Sequence, residues 1–378
     1  MMVNMSRLEL ARKRRGLTKK DLAHSLDVTD RTVSNWYSQL DIDMKHLEKI
    51  SEVLKFPKEF FLETTDLSLP NTETVSFRAL SKISSRKRDI ALSQTVIAEI
   101  INQWLDSKFD LPMPVIPDLH ELRNNSTIGS GTELDEEHSD LCLTYAQTCA
   151  EVVRKAWGLG EKPISNMISL LESKGIRTFS LSDEAQEVDA CCQWINDRPF
   201  IFLNIAKSSE RCRFDAAHEL GHLVMHRHGI IEGRQMEQEA NAFASAFLMP
   251  KKSIRADPIS TPNLKTIIAK KKYWKVSAAA LTYRYRQLNL ITDWNAITIY
   301  KQLSELGRTI EPEPIAHERS LLLFKVMNLL KDEGLRPIDI ADELKLSFED
   351  FNGLTFGIPQ ELTDEMTELR RSKLRLVI

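Results

Sequence analysis

The stretch DAAHELGHLVMH, residues 215–226, constrains the fold more than any other part of the chain. Two histidines four positions apart can aim their rings at one point on an α-helix, where positions i and i+4 share a face about one turn apart. His218 and His222 are such a pair, and Glu219 follows the first of them. On a helix this His-Glu-x-x-His pattern offers zinc two imidazole nitrogens with a carboxylate close by. The competing reading is an amphipathic helix that carries surface histidines, and the motif alone does not separate the two.

A catalytic zinc takes three protein ligands and keeps a fourth position open, so the third ligand has to come from another element. Fifteen residues after His222 stands Glu237, in a second helical pattern, MEQEANAFASAFLMP, which has Glu237 and Asn241 on one face and Phe243, Phe247 and Leu248 placed to pack inward. Glu237 is the expected third ligand. Asn241 is expected behind the ligands, holding the other ring nitrogen of a ligand histidine. Glu239, on a neighbouring face, is the less favoured ligand. Glu219 is the expected acid/base: it takes a proton from water at the metal and passes it to the leaving amine, which is peptide hydrolysis. A purely structural zinc would need no such base. Gly221 suits a helix turn packed against other backbone, and Gly229 suits a C-cap. His226 is expected to pack or support rather than ligate, and His228 to face solvent.

The N-terminus carries a different pattern. Gly16 stops a first helix, Thr18 can cap KKDLAHSL, and Thr29 can cap DRTVSNWY. Leu22, Ala23, Leu26, Val28, Val33 and Trp36 fall at spacings that bury the faces between those two helices, which is the layout of a helix-turn-helix. The second helix of such a unit enters the major groove of double-stranded DNA, so Asp30, Arg31, Thr32, Ser34 and Asn35 are expected to point outward. Arg31 can read guanine and Asn35 adenine, while Lys19 and Lys20 suit phosphates. The run Arg12, Lys13, Arg14, Arg15 either adds phosphate contacts or forms a solvated face. One unit reads too few base pairs for a selective operator, so a homodimer is expected.

GLTKKDLAHSLDVTDRTVSNW (16–36) returns without gaps as GLRPIDIADELKLSFEDFNGL (334–354), with Gly, Leu, Asp, Ala and Leu coinciding. The second copy has Glu349 and Asp350 where the first has Arg31 and Thr32, and holds five acids to two bases. A phosphate-facing helix does not have that charge, so the copy reads as a structural or protein-contact element. Between the two lie a long helix near 85–109, a proline-rich piece (DLPMPVIPD), a Gly/Ser-rich piece (NNSTIGSGTELDEE), helices, and two strand candidates, IRTFSL and PFIFLN. The strand RPFIFLN before the histidines is a candidate rim for pairing an extended substrate, or an ordinary sheet member. The expected fold is mainly α with a small β-sheet (α+β). Its parts are a DNA-binding bundle at 1–65, a helical connector and flexible linker at 66–140, a zinc metallopeptidase domain of zincin type at 141–290, and a helical region at 291–378.

RFDAAHELGHLVMH followed by EQEANAFASAFLMP resembles the ImmA/IrrE metallopeptidases, whose pattern is H-E-x-x-H, then E-x-x-A-N-x-F-A and a Leu-Met-Pro end. The likeness covers about 141–290, including FIFLN and WKVSAAALTYRYRQL, and residues 6–62 resemble XRE-type DNA-binding domains. Together they resemble the fused XRE–ImmA/IrrE regulators of bacteria and phages. The resemblance implies Zn2+ on His218, His222 and Glu237, Glu219 as acid/base, and cleavage of a repressor under stress; not every fused member need cut. The alternative is a non-proteolytic transcription factor or antitoxin-like regulator that uses the zinc domain for sensing or assembly. Tyr283, Arg284 and Arg286 are candidate donors to the transition-state oxyanion, the arginines also fitting a wet basic face.

The net charge of −3 excludes a globally basic nucleic-acid coat, whereas residues 1–60 hold twelve Lys/Arg against nine Asp/Glu, which places any DNA contact at this end. No apolar run reaches the roughly 18 residues of a spanning helix, and the first residues lack a signal-peptide core, so no membrane partner and a cytoplasmic location are expected. Five cysteines without a C-x-x-C pair fit idle thiols; a redox role for Cys191 and Cys192 is the minor reading.

Overall fold

A computed structural model describes residues 2–39, 41–70, 75–77, 84–119, 122, 136–182, 187–227, 233–307 and 310–364. The chain divides into two compact units, one of Met1–Leu111, Phe179–Asp189 and Ser320–Ile378, the other of Pro112–Thr178 and Ala190–Arg319. The fold is mainly α with a small sheet, as the sequence patterning predicts. Among the described residues no helix is long and apolar enough to cross a membrane.

In the first unit, α1 (Met5–Arg14), α2 (Lys19–Ser25), α3 (Asp30–Gln39), α4 (Met44–Leu54) and α5 (Lys58–Leu62) form the N-terminal bundle. A reciprocal cap between Thr18 and Asp21 starts α2, and Leu8, Leu22, Ala23, Leu26, Val33, Leu47 and Ile50 are buried at the bundle's centre. A strand, β1 (Val75–Phe77), precedes the long α6 (Ser85–Lys108), which packs along α1. The C-terminal part of this unit is α15 (Leu321–Asp332), α16 (Pro337–Glu343) and α17 (Phe348–Leu354).

The internal sequence echo is a structural repeat. The starts of α2 and α3 reappear 318 positions later as the starts of α16 and α17. Leu22, Ala23 and Val33 correspond to Ile340, Ala341 and Phe351, and all six are buried. The turns match in backbone as well: Asp27 and Lys345 are left-handed at φ 56° and 57°. The second copy spends its acids inside the protein. Asp350 is buried and accepts from Arg14 Nη2 at 2.7 Å and from Arg15 Nη1 and Nη2 at 3.1 and 2.7 Å, while Glu349 meets Lys55 at 3.0 Å. The arginine run of α1 is thereby neither a solvated face nor open to phosphate. Arg12 is held by Glu9 and the Leu17 carbonyl, and Arg15 also donates to the carbonyl of Leu54 at 2.7 Å.

In the second unit, α7 (Glu136–Ala156) and α8 (Met167–Ser173) precede the first two residues of β2 (Arg177–Ser180) and the strands β3 (Ala190–Ile195) and β4 (Arg198–Leu203). Then follow α9 (Ser209–Met225), α10 (Arg234–Leu248), α11 (Lys251–Ala256), α12 (Leu264–Trp274), α13 (Ala278–Gln287) and α14 (Asp293–Leu306). Helix α9 is the centre of this unit, packed against α10, α7, α8, β3 and β4, and α10 packs on α7.

The sheet departs from expectation in two respects. The sequence suggests two strands here, and β3 (ACCQWI) is a third, paired antiparallel to β4 with Cys192 opposite Ile201. Its sequence has no alternation because Ala190, Cys191, Cys192 and Gln193 are all buried. The missed signal is the turn: Asn196 and Asp197 both sit at positive φ, 49° and 58°, as a two-residue hairpin connection of the tightest kind requires. The second departure is β4, which lies between β3 and β2. Both of its edges are already paired, so RPFIFLN is a sheet interior rather than a rim for substrate.

The proline-rich piece also differs from a free tether where it enters this unit. The Val115 amide donates to the Lys174 carbonyl at 2.9 Å, and Trp157 Nε1 donates to the Val115 carbonyl at 2.9 Å. Gly175, at φ +77°, makes room for it: a Cβ there would lie 2.3 Å from the Met113 backbone. Most of the Gly/Ser-rich piece lies outside the described residues.

Candidate functional site

Helix α9 is opened by Ser208, whose side chain accepts from the Arg211 amide, and runs to Met225. Neighbouring elements cover it on nearly every side, which overturns the surface-histidine reading: His218 and Glu219 are fully buried and His222 is 3% exposed. Gly221 sets the approach of the next helix, because a Cβ there would meet Phe243 Cβ, Cγ and Cδ1 at 3.1–3.3 Å. That close contact of α9 with α10 brings the first turn of α10, and with it Glu237, over the histidines.

His218 Nε2 and His222 Nε2 lie 3.0 Å apart, and the Glu237 carboxylate oxygens are 3.4 Å from the first and 3.5 Å from the second. Ligand atoms of these three residues all fall within 4.8 Å of one another. Zinc bonds of 2.0–2.2 Å in a tetrahedron require donors separated by roughly 3.3 Å, so the donor set fits that ion. Burial alone would raise the Glu237 carboxyl, but hydrogen bonds to His218 and His222 outweigh it and hold the group well below the usual carboxylate range.

The surroundings of the triad are only partly those expected. Asn241 does not hold a histidine ring: its Nδ2 donates to the Glu237 main-chain carbonyl at 2.8 Å, because an i to i+4 amide on α10 reaches back along its own helix. The second ring nitrogen of His222 instead faces His226, Nδ1 to Nδ1 at 3.0 Å, and His226 Nε2 lies 3.0 Å from Glu239 Oε2. His228 and Gly229 lie outside the described residues, and α9 ends on His226 as its cap. On β3, the buried Cys192 lies close enough to Glu219 to feel its charge. Burial, followed by the charge of Glu219, pushes this thiol well above its ordinary value, so it stays protonated. Sequence reasoning missed Cys192 because the contact joins a strand to a helix 27 residues on.

The three oxyanion candidates sit on α13. Tyr283 is half-exposed and makes no hydrogen bond to the triad among the described residues. Arg284 is buried, donating to the Met249 carbonyl at 3.0 Å and to Gln287 at 2.7 Å, and burial lowers its guanidinium to about 10. Arg286 pairs with Asp293 at 2.6 Å. The two arginines therefore do not form one wet basic face.

On the helix-turn-helix, Asp30, Arg31, Ser34 and Asn35 are exposed along α3, and the side chains of Arg31 and Asn35 make no hydrogen bond among the described residues. Val33 and Trp36 bury the opposite face. Thr32 is half-buried, and its hydroxyl lies 2.9 Å from that of Thr29, which caps α3. Lys20 is exposed at the start of α2, and the Lys19 ammonium lies 3.7 Å over the Tyr37 ring.

A helix-turn-helix whose second helix presents Arg31 and Asn35, on one chain with a buried His-Glu-x-x-His helix facing a glutamate, defines a DNA-binding module joined to a metallopeptidase-like domain. Comparison with protein families agrees: residues 8–61 match the helix-turn-helix model, and residues 171–286 match the peptidase M78 model, the IrrE N-terminal-like domain. The chain thus combines an XRE-type helix-turn-helix with an ImmA/IrrE-like domain, as the sequence resemblance implied. No curated protein matches the chain.

Proposed function

We propose that the protein is a cytoplasmic, DNA-binding transcriptional regulator with zinc-dependent endopeptidase activity, acting as a homodimer on an operator and cutting a regulatory protein, a repressor, in a stress response. The observation that carries this reading is the convergence of His218, His222 and Glu237 on one point while Glu219 is retained in the buried turn beside them. A structural zinc needs no such carboxylate. His218, His222 and Glu237 would hold the ion, which when bound supplies Lewis acidity and brings the pKa of water in the site to about 7. Glu219 would accept a proton from water in the site and return it to the amine of the departing peptide. At the other unit, Arg31, Ser34 and Asn35 read base edges and Lys19 and Lys20 take phosphates.

The decisive experiment incubates the zinc-loaded chain with repressors encoded beside its gene, next to Glu219→Gln. Cleavage by the wild-type chain that the variant loses supports the reading. Equal cleavage by both removes Glu219 from the mechanism, and zinc binding with no cleavage of any such protein favours a regulator that uses the ion for sensing.

A further inference from the structure

We propose that His226 and Glu239 are positioning residues that form a relay behind His222, fixing its tautomer and ring orientation for the metal. The inference rests on the metal reading above and assigns two residues to which that reading gives no role. For His222 to ligate, the lone pair must be on Nε2, the nitrogen that faces His218 Nε2 at 3.0 Å and Glu237 at 3.5 Å. The ring proton of the neutral imidazole is then on Nδ1. That nitrogen lies 3.0 Å from His226 Nδ1, so His226 has to accept there, which puts its own proton on Nε2. His226 Nε2 in turn lies 3.0 Å from Glu239 Oε2, a carboxylate oxygen able only to accept.

Each donor thus meets an acceptor in one order only: His222 Nδ1–H to His226 Nδ1, and His226 Nε2–H to Glu239. The reverse order would put a proton on His222 Nε2, where the metal has to bind. A doubly protonated His226 would set two N–H groups against each other, so the relay requires it neutral. Gln235 Nε2 donates to the other Glu239 oxygen at 3.2 Å, which anchors the carboxylate. His226 is only slightly exposed and Glu239 fully buried, so the negative end of the chain acts with little solvent screening. A carboxylate at the far end draws the two protons toward itself and makes His222 a stronger donor to a cation.

The relay also accounts for residues that resist simpler roles. Glu239 does not join the triad as a ligand, because His226 stands between it and His222. His226 closes α9 as its cap residue, where the chain leaves helical geometry and the ring can turn back toward His222.

The test is zinc affinity of the full chain, measured by competition with a chromogenic zinc chelator, with apo-protein melting recorded in parallel. His226→Phe fills the space without either nitrogen and should weaken zinc about 10–100-fold, with Glu239→Gln shifted in the same direction by less. Histidine 15N NMR of the zinc-loaded wild type should show protonated Nδ1 on His222 and protonated Nε2 on His226. Affinities of both variants within about twofold of wild type, or the opposite tautomers, overturn the relay. Should His226→Phe fail to fold, Glu239→Gln and the NMR of the wild type decide. A wild-type chain that binds no zinc overturns the metal reading and the relay with it, whereas a zinc-binding wild type with unaffected variants overturns the relay alone.

Discussion

Replacing Asp350 by asparagine isolates what the acidic repeat does in the first unit. The carboxylate is 1% exposed and meets Arg14 (4% exposed) and Arg15 (11% exposed), with Ser347 Oγ donating to the same group at 2.8 Å. Asparagine keeps the shape and one acceptor oxygen but leaves two largely buried guanidinium groups without their counter-charge. Removing one member of a buried ion pair costs about 3–5 kcal/mol, and the retained acceptor places this change near the lower end. For a unit of this size each kcal/mol moves the melting temperature by about 2–4 °C, so the expected drop is about 6–12 °C. Calorimetry of the full chain measures it. A pH series adds a sign. Burial alone would raise the Asp350 carboxyl, but the charges of Arg14 and Arg15 prevail and hold it below its ordinary value. The group's contribution is therefore fully present above its unfolded value of about 3.9 and is lost as pH falls below that toward the depressed folded value. The wild type should lose its advantage over Asp350→Asn in that window. A cost below about 1 kcal/mol at neutral pH would refute the reasoning and reduce the repeat to a surface attachment.

His218→Ala, His222→Ala and Glu237→Gln should each lose most zinc by metal analysis, and chelation should lower the melting temperature of the wild type but not of these variants. Gly221→Ala should destabilise by about 1–2 kcal/mol despite the better helix propensity of alanine, because Phe243 is buried and stacked on Phe247 at 5.5 Å and cannot give way; denaturant unfolding checks it, and a gain in stability would show that it can. In the DNA unit, Arg31→Ala should change base preference, while Lys20→Ala should weaken all sequences alike and lower the salt slope by about one; binding titrations over a salt series separate the two.

What the amino-acid order determined by itself is local. The i, i+4 spacing of His218 and His222 pointed to a helix, Thr18 and Thr29 marked helix starts, and the apolar positions shared by 16–36 and 334–354 specified the same pair of helices twice. These follow from helical periodicity and capping, which act within a few residues. Long-range relations needed the tertiary structure. That Glu237 reaches the histidines depends on how closely α10 crosses α9, which Gly221 and Phe243 settle, and Asn241 was misassigned because spacing along α10 says which face it is on but not what lies opposite. Cys192 and Glu219 meet only when β3 is laid against α9, and β3 was illegible because a strand buried on both faces shows no alternation. The charges carried the largest difference: read from the sequence, Arg14 belongs to a run that either contacts phosphate or forms a solvated face, and Asp350 to a structural or protein-contact element. Packing makes them partners, since a charge removed from water is stable only beside its opposite, and which opposite is within reach is a property of the folded chain.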